Sequence, residues 1–162
     1  MVFIRTKKIY NQDYAYLVKN EWTSQGSRQK SSKYLGKVFS ITKKTDIHKI
    51  EGENYHEIIK NLIKQELFNH NSQGFEYFDS KIILGRREVI LSINEGFLCA
   101  HTIQQLLNFK PSNINEGEKL ANLLVETGIK LTPEQFVELC NKIFPKDQNK
   151  KDHDIEPEEF YY

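Results

Sequence analysis

The spacing of apolar residues changes once along this chain, and that change constrains its fold more than any other feature. Residues 2–10 (VFIRTKKIY) and 14–22 (YAYLVKNEW) are rich in β-branched and aromatic side chains, and Asn11, Gln12 and Asp13 separate them. Two such runs across a short polar break are a hairpin signal. A second turn, Ser24-Gln25-Gly26-Ser27, leads into residues 28–41, whose later part again carries Tyr, Leu, Val and Phe. Three antiparallel strands are therefore expected. By the two-residue period of a strand, Tyr14, Tyr16, Val18 and Trp22 share one face, and Ala15, Leu17, Lys19 and Glu21 share the other. One of these faces is expected to be core.

From residue 54 the spacing becomes helical. After a polar connector over residues 42–52, Tyr55, Ile58, Ile59, Leu62, Ile63, Glu66 and Leu67 recur as one stripe of an amphipathic helix over residues 54–69. Residues 75–84 and 88–93 read as two strands joined across Gly85-Arg86-Arg87. Asn94 then reads as the N-cap of a helix running to about Phe109, which Pro111 stops. A further helix is expected over residues 115–127, with Gly128 as its C-cap. Thr132, Pro133 and Gln135 form a capping box for a last helix, whose stripe is Phe136, Leu139, Cys140 and Ile143. The expected fold class is α+β: a basic three-stranded antiparallel N-terminal sheet, then a mainly helical body with one β-hairpin. Its parts are a β-module at residues 1–41, a body at 53–145 and a flexible acidic tail at 146–162.

Hydrophobic residues make up 38% of the chain and charged residues 28%, a balance that supports a folded core under a soluble surface. No apolar run approaches the roughly 20 residues of a membrane helix, and residues 1–8 lack the apolar stretch of a secretory signal, so a cytoplasmic protein is expected. Cys99 and Cys140 each sit among apolar residues, which favours buried thiols over a disulfide. The five histidines form no HExxH or His/Cys cluster, and no P-loop, GxGxxG or GxSxG pattern occurs. No metal, cofactor or catalytic residue is assigned on these grounds, although an enzyme with a dispersed site remains a third reading.

Charge is distributed unevenly. Residues 1–50 hold eleven Lys/Arg and three Asp/Glu, net +8, leaving twelve and nineteen for residues 51–162, net −7, and these sum to the whole-chain +1. Clustered cations on a small β-module favour phosphate-bearing partners. The candidate nucleic-acid-binding residues are Arg5, Lys7, Lys19, Arg28, Lys30, Lys33 and Lys37. Tyr14, Tyr16, Trp22 and Tyr34 could stack on bases, but a core role is preferred for them. Arg86 and Arg87, at a hairpin tip, could extend the phosphate surface but read more simply as solvated turn residues. In the tail, Phe160, Tyr161 and Tyr162 beside a run of carboxylates suggest a peptide that docks on a protein partner.

The pattern FIRTKK, a turn, YAYLVKNEW, a polar turn and RQKSSKYLGKV resembles the N-terminal β-module that precedes the catalytic core of some DDE-type transposases. That resemblance covers about the first forty residues and implies a nucleic-acid-facing sheet. The rest of the chain shows no spaced carboxylate triad, so transposition is not implied. The chain also resembles a group of small archaeal proteins of unknown function, with the NEGFLC of residues 94–99 as the downstream match. The expected function is non-enzymatic nucleic-acid binding, RNA somewhat ahead of DNA. The alternative is an adaptor using the helical body and the acidic aromatic tail.

Overall fold

Three strands open the chain in a meander: β1 (Val2–Ile9), β2 (Gln12–Thr23) and β3 (Gly26–Ser40). The computed structural model describes residues 2–71 and 73–144. Tyr10 and Asn11, with φ of 50° and 61°, form the first turn. A turn with two left-handed central residues matches the right-handed twist of its flanking strands. β1 and β2 pair without interruption from Val2↔Lys19 to Ile9↔Gln12. The β2–β3 ladder shifts register between Ala15 and Tyr16 and again between Leu17 and Val18.

The first three strands do not form a sheet of their own. β3 runs on to Ser40 and pairs in parallel with β6 (Arg87–Ile93) through Val38↔Ile90, Phe39↔Leu91 and Ser40↔Ser92. The outcome is one mixed seven-stranded sheet, ordered β1-β2-β3-β6-β5-β4, with β7 also paired to β6. This corrects the expected fold class of a three-stranded sheet beside a helical body with one hairpin. A parallel pair needs a long crossover, here the 41–54 connector, α1 (Tyr55–Asn69), β4 (Phe75–Phe78) and β5 (Lys81–Leu84). Such a pairing leaves no local turn signal in the sequence.

Two further corrections have a shared cause. Residues 75–84 are not one strand, because Asp79 and Ser80 take φ of 48° and 58° and fold β4 back on β5. Asn94 is not a helix cap; its φ of 50° places it in the two-residue turn between β6 and β7 (Gly96–Leu98). Asn, Asp and Ser serve turns and caps through the same short polar side chain, so local sequence does not separate the two uses. Helix α2 (Ala100–Asn108) starts five residues later than Asn94 as a cap suggests, with Cys99 as its N-cap and the Thr102 hydroxyl accepting from the Cys99 N–H.

The remaining helices follow the sequence more closely. α1 is capped by Asn54, α3 (Gly117–Thr127) ends on Gly128 at φ 85°, and α4 (Pro133–Ile143) begins with the Thr132/Gln135 box. One core joins Ile59, Leu62 and Ile63 of α1 to Leu91 and Ile93 of β6, Leu106 of α2, Leu120 of α3 and Leu139 of α4. Ile90 turns the other way, into a second cluster with Ala15, Val38 and Cys99. β6 is thus buried on both faces, which explains its unbroken Val-Ile-Leu run. A close approach fixes the β6–β7 turn: a Cβ on Gly96 would lie 2.1 Å from the Val125 carbonyl oxygen. The Asn94 amide donates to the Gly128 carbonyl across the same contact at 2.6 Å.

Candidate nucleic-acid interface

Strand register divides the candidate cations between two faces. Residues paired across a ladder point the same way, so Arg5 and Lys7 share a face with their partners Tyr16 and Tyr14, and Lys37 joins them as the β3 partner of Tyr14. Tyr34, opposite Tyr16, and Trp22, further along β2, lie on this aromatic face as well. Lys19, Lys30, Lys33 and Arg28 are on the reverse face, where Lys19 pairs with Lys30, Leu17 with Lys33 and Glu21 with Arg28.

On the aromatic face the rings form a group rather than a core. The Tyr34 ring is 5.3 Å from Tyr16 and 6.3 Å from Tyr14, centroid to centroid. Tyr34 is 54% exposed and Trp22 is 86% exposed, which overturns the core role preferred for these two rings. Tyr14 and Tyr16 are half-buried and Val18 on the same face is buried, so the alternating pattern marks a face that is open to solvent at Tyr34 and Trp22. Cations surround the group: the Lys7 ammonium lies 5.1 Å over the Tyr16 ring, and the Arg5 guanidinium donates to the Gln29 side chain. Desolvation and the neighbouring Tyr14 and Tyr16 hold the Tyr34 hydroxyl above the usual phenol range.

Beyond Tyr34 this face opens into a groove. β3 and β6 pair only over Val38–Ser40, and the space before that pairing is a cleft of about 680 Å³. Tyr14, Tyr34, Lys37 and Phe39 line one wall, with Leu84, Arg87 and Glu88 on the other. Arg87, which the sequence placed at a solvated hairpin tip, therefore stands across the cleft from Lys37. Arg86 stays in the turn. An aromatic floor flanked by Lys and Arg suits a polyanion that carries planar rings.

A second polar cluster escaped the sequence reading. The fully buried Glu66 carboxylate accepts from His48 Nε2 at 2.8 Å and from the Lys130 N–H at 3.0 Å. His70 Nδ1 lies 3.4 Å from its other oxygen, and so does the Asn94 amide nitrogen. Asp46 approaches the far side of His48 at 3.5 Å and is held below the usual carboxylate range, chiefly by its hydrogen bond from Lys43. These contacts tie the 41–54 connector, α1, the β6–β7 turn and the segment after α3 into one unit. The signal was present in the sequence, since Glu66 falls on the apolar stripe of its helix, and a carboxylate there requires buried partners. Among the described residues, no group of three or more His, Cys, Asp or Glu is arranged to hold a metal ion.

The tail residues Phe160, Tyr161 and Tyr162 lie outside the described residues. No helix among those described is long and apolar enough to cross a membrane. Comparison of the chain with protein-family profiles, with curated proteins and with solved structures finds no match.

Proposed function

We propose that this chain is a non-enzymatic nucleic-acid-binding protein that holds single-stranded nucleic acid, RNA ahead of DNA, on the aromatic face of its sheet. The observation that carries this reading is the ring group of half-buried Tyr14 and Tyr16 with exposed Tyr34, and Arg5, Lys7 and Lys37 on the same face. Bases stack on the rings and phosphates meet the cations. Arg87, across the groove, extends the cationic rim. Single strands are favoured over duplex because stacking on a side chain needs an unpaired base.

The test is a fluorescence anisotropy titration with single-stranded RNA, single-stranded DNA and duplex DNA over a salt series. A base stacked on an aromatic side chain is worth about 1–3 kcal/mol, so Tyr34→Ala should weaken RNA binding by roughly fivefold or more. Replacing Arg5, Lys7 and Lys37 by Ala should both weaken binding and flatten its salt dependence, since each lost phosphate contact lowers the slope. RNA affinity unchanged in both variants rejects the reading.

One observation favours the adaptor reading as the second: an apolar cleft of about 340 Å³ where α3 leads into α4, lined by Leu124, Val125, Ile129, Leu131 and Phe136. Its signature is a Leu131→Glu variant that keeps RNA affinity but loses a co-purifying protein.

A further inference from the structure

We propose that the reverse face of the β2–β3 ribbon is a second phosphate-binding surface, built from Lys19, Lys30 and Lys33 and continued by the cleft at Lys81 and His101, and that it holds the phosphodiester backbone of a nucleic-acid strand. The identity of that strand rests on the function proposed above; the surface itself does not depend on the aromatic face.

The first argument is a pairing that the sheet alone does not favour. Lys19 and Lys30 stand directly opposite each other, and like charges in that position destabilise a ladder. Among the described residues no carboxylate lies within ion-pair distance of Lys19, Lys30 or Lys33. The acidic residue of this stretch, Glu21, lies opposite Arg28 instead. An anion bound along the face offsets the repulsion.

Geometry supplies the second argument. Strand residues two apart on one face are about 6.6 Å apart, at roughly 3.3 Å per residue. Arg28 and Lys30 have that separation in sequence, and Lys33 follows after the register shift, so the cations form a row along β3. A row of this pitch matches the step between phosphates of an extended strand. It does not stop at the ribbon: Lys33 also lines a cleft of about 400 Å³ whose wall includes Lys81, Glu88, His101 and Gln104. Glu88 lies 3.9 Å from Lys81 and offsets part of its charge, which leaves Lys33 as the cation of the cleft without a partner acid. The sheet therefore offers rings and cations on one side and cations without rings on the other.

The probe is inorganic polyphosphate, which carries the charge of a nucleic-acid backbone and no bases. Its affinity is measured at low salt for the full chain, for a Lys19→Gln, Lys30→Gln, Lys33→Gln variant, and for an Arg5→Gln, Lys7→Gln, Lys37→Gln variant that removes the same charge from the aromatic face. We expect the reverse-face variant to lose tenfold or more in polyphosphate affinity, and the aromatic-face variant, whose cations also meet phosphate, to lose at least threefold less than that. Equal losses in the two variants, or no polyphosphate binding by the full chain, overturn the proposal. A Tyr14→Ala, Tyr34→Ala variant in the same series separates the two faces: unchanged RNA affinity there counts against the stacking function alone, whereas the polyphosphate result decides the reverse face.

Discussion

Strand β6 and the outer part of the β2–β3 ribbon belong to the same sheet and are held in place by different physics. In β6, Leu91 and Ile93 face one cluster and Ile90 faces another, and all three are almost fully buried. In the ribbon, beyond the Val2↔Lys19 pair that ends β1, every residue from Glu21 to Lys30 is exposed and no third strand or helix covers either face. An isolated two-stranded hairpin is marginal in water, so the outer ribbon has Trp22, Arg28 and Lys30 available while contributing little to the fold. Stability and binding are thus assigned to separate regions, and substitutions should separate them.

The largest effect is expected in the core. Leu91→Ala removes a fully buried side chain at the centre of the sheet and should cost about 2–5 kcal/mol in chemical denaturation. Trp22→Ala, on the exposed ribbon, should change stability by no more than about 0.5 kcal/mol. Comparable losses for the two would break the division.

The next effect concerns Glu66. Glu66→Ala leaves the Lys130 N–H and His48 Nε2 buried without their acceptor, at about 1–3 kcal/mol for each stranded group. Hydrogen exchange should show the 41–54 connector losing protection first around His48, its link to the Glu66 carboxylate, while the bonds it makes with Asn69, Gln65 and Gln135 hold the rest of its backbone. Uniform loss of protection across the sheet would contradict the clamp assigned to this cluster.

The smallest effect is electrostatic. His101 is held below the usual imidazole range, first by burial and then by the charge of Lys33, with Glu126 acting in the opposite direction. Its lowered folded value means the unfolded chain takes up the proton more readily. The stability associated with neutral His101 is therefore present above the ordinary imidazole value and is lost as pH falls through the folded one. Lys33→Gln should move the His101 titration upward in an NMR pH series, and a bound polyanion should move it the same way. No movement on Lys33→Gln would show that the lysine and the imidazole do not share the cleft.

How far the sequence disclosed this arrangement depends on the range of the interaction. Local signals were legible: the helix over 54–69, the Thr132/Gln135 box and left-handed Gly128 all stand where spacing and chemistry put them. The parallel Val38↔Ile90 pairing was not, because it joins residues fifty-two apart with no turn between them. Strand period correctly put Tyr14, Tyr16 and Trp22 on one face, but period does not say whether a face meets core or water. That is decided by where the helices pack, and the covering of Ile90 by Cys99 rather than of Tyr34 by any helix is a tertiary fact. Arg87 entered the site for the same reason: the cleft exists only because β3 and β6 meet late along their lengths.

Trp22 offers the most direct measurement of the central claim. It is the one tryptophan of the chain, it is 86% exposed, and it stands on the aromatic face of the ribbon. Titration of the protein with single-stranded RNA at low salt should quench its emission to saturation, and added salt should reverse the quench as counterions reclaim the phosphates. Emission that stays constant while RNA binding is detected by anisotropy would place the nucleic acid elsewhere on the molecule and contradict the account.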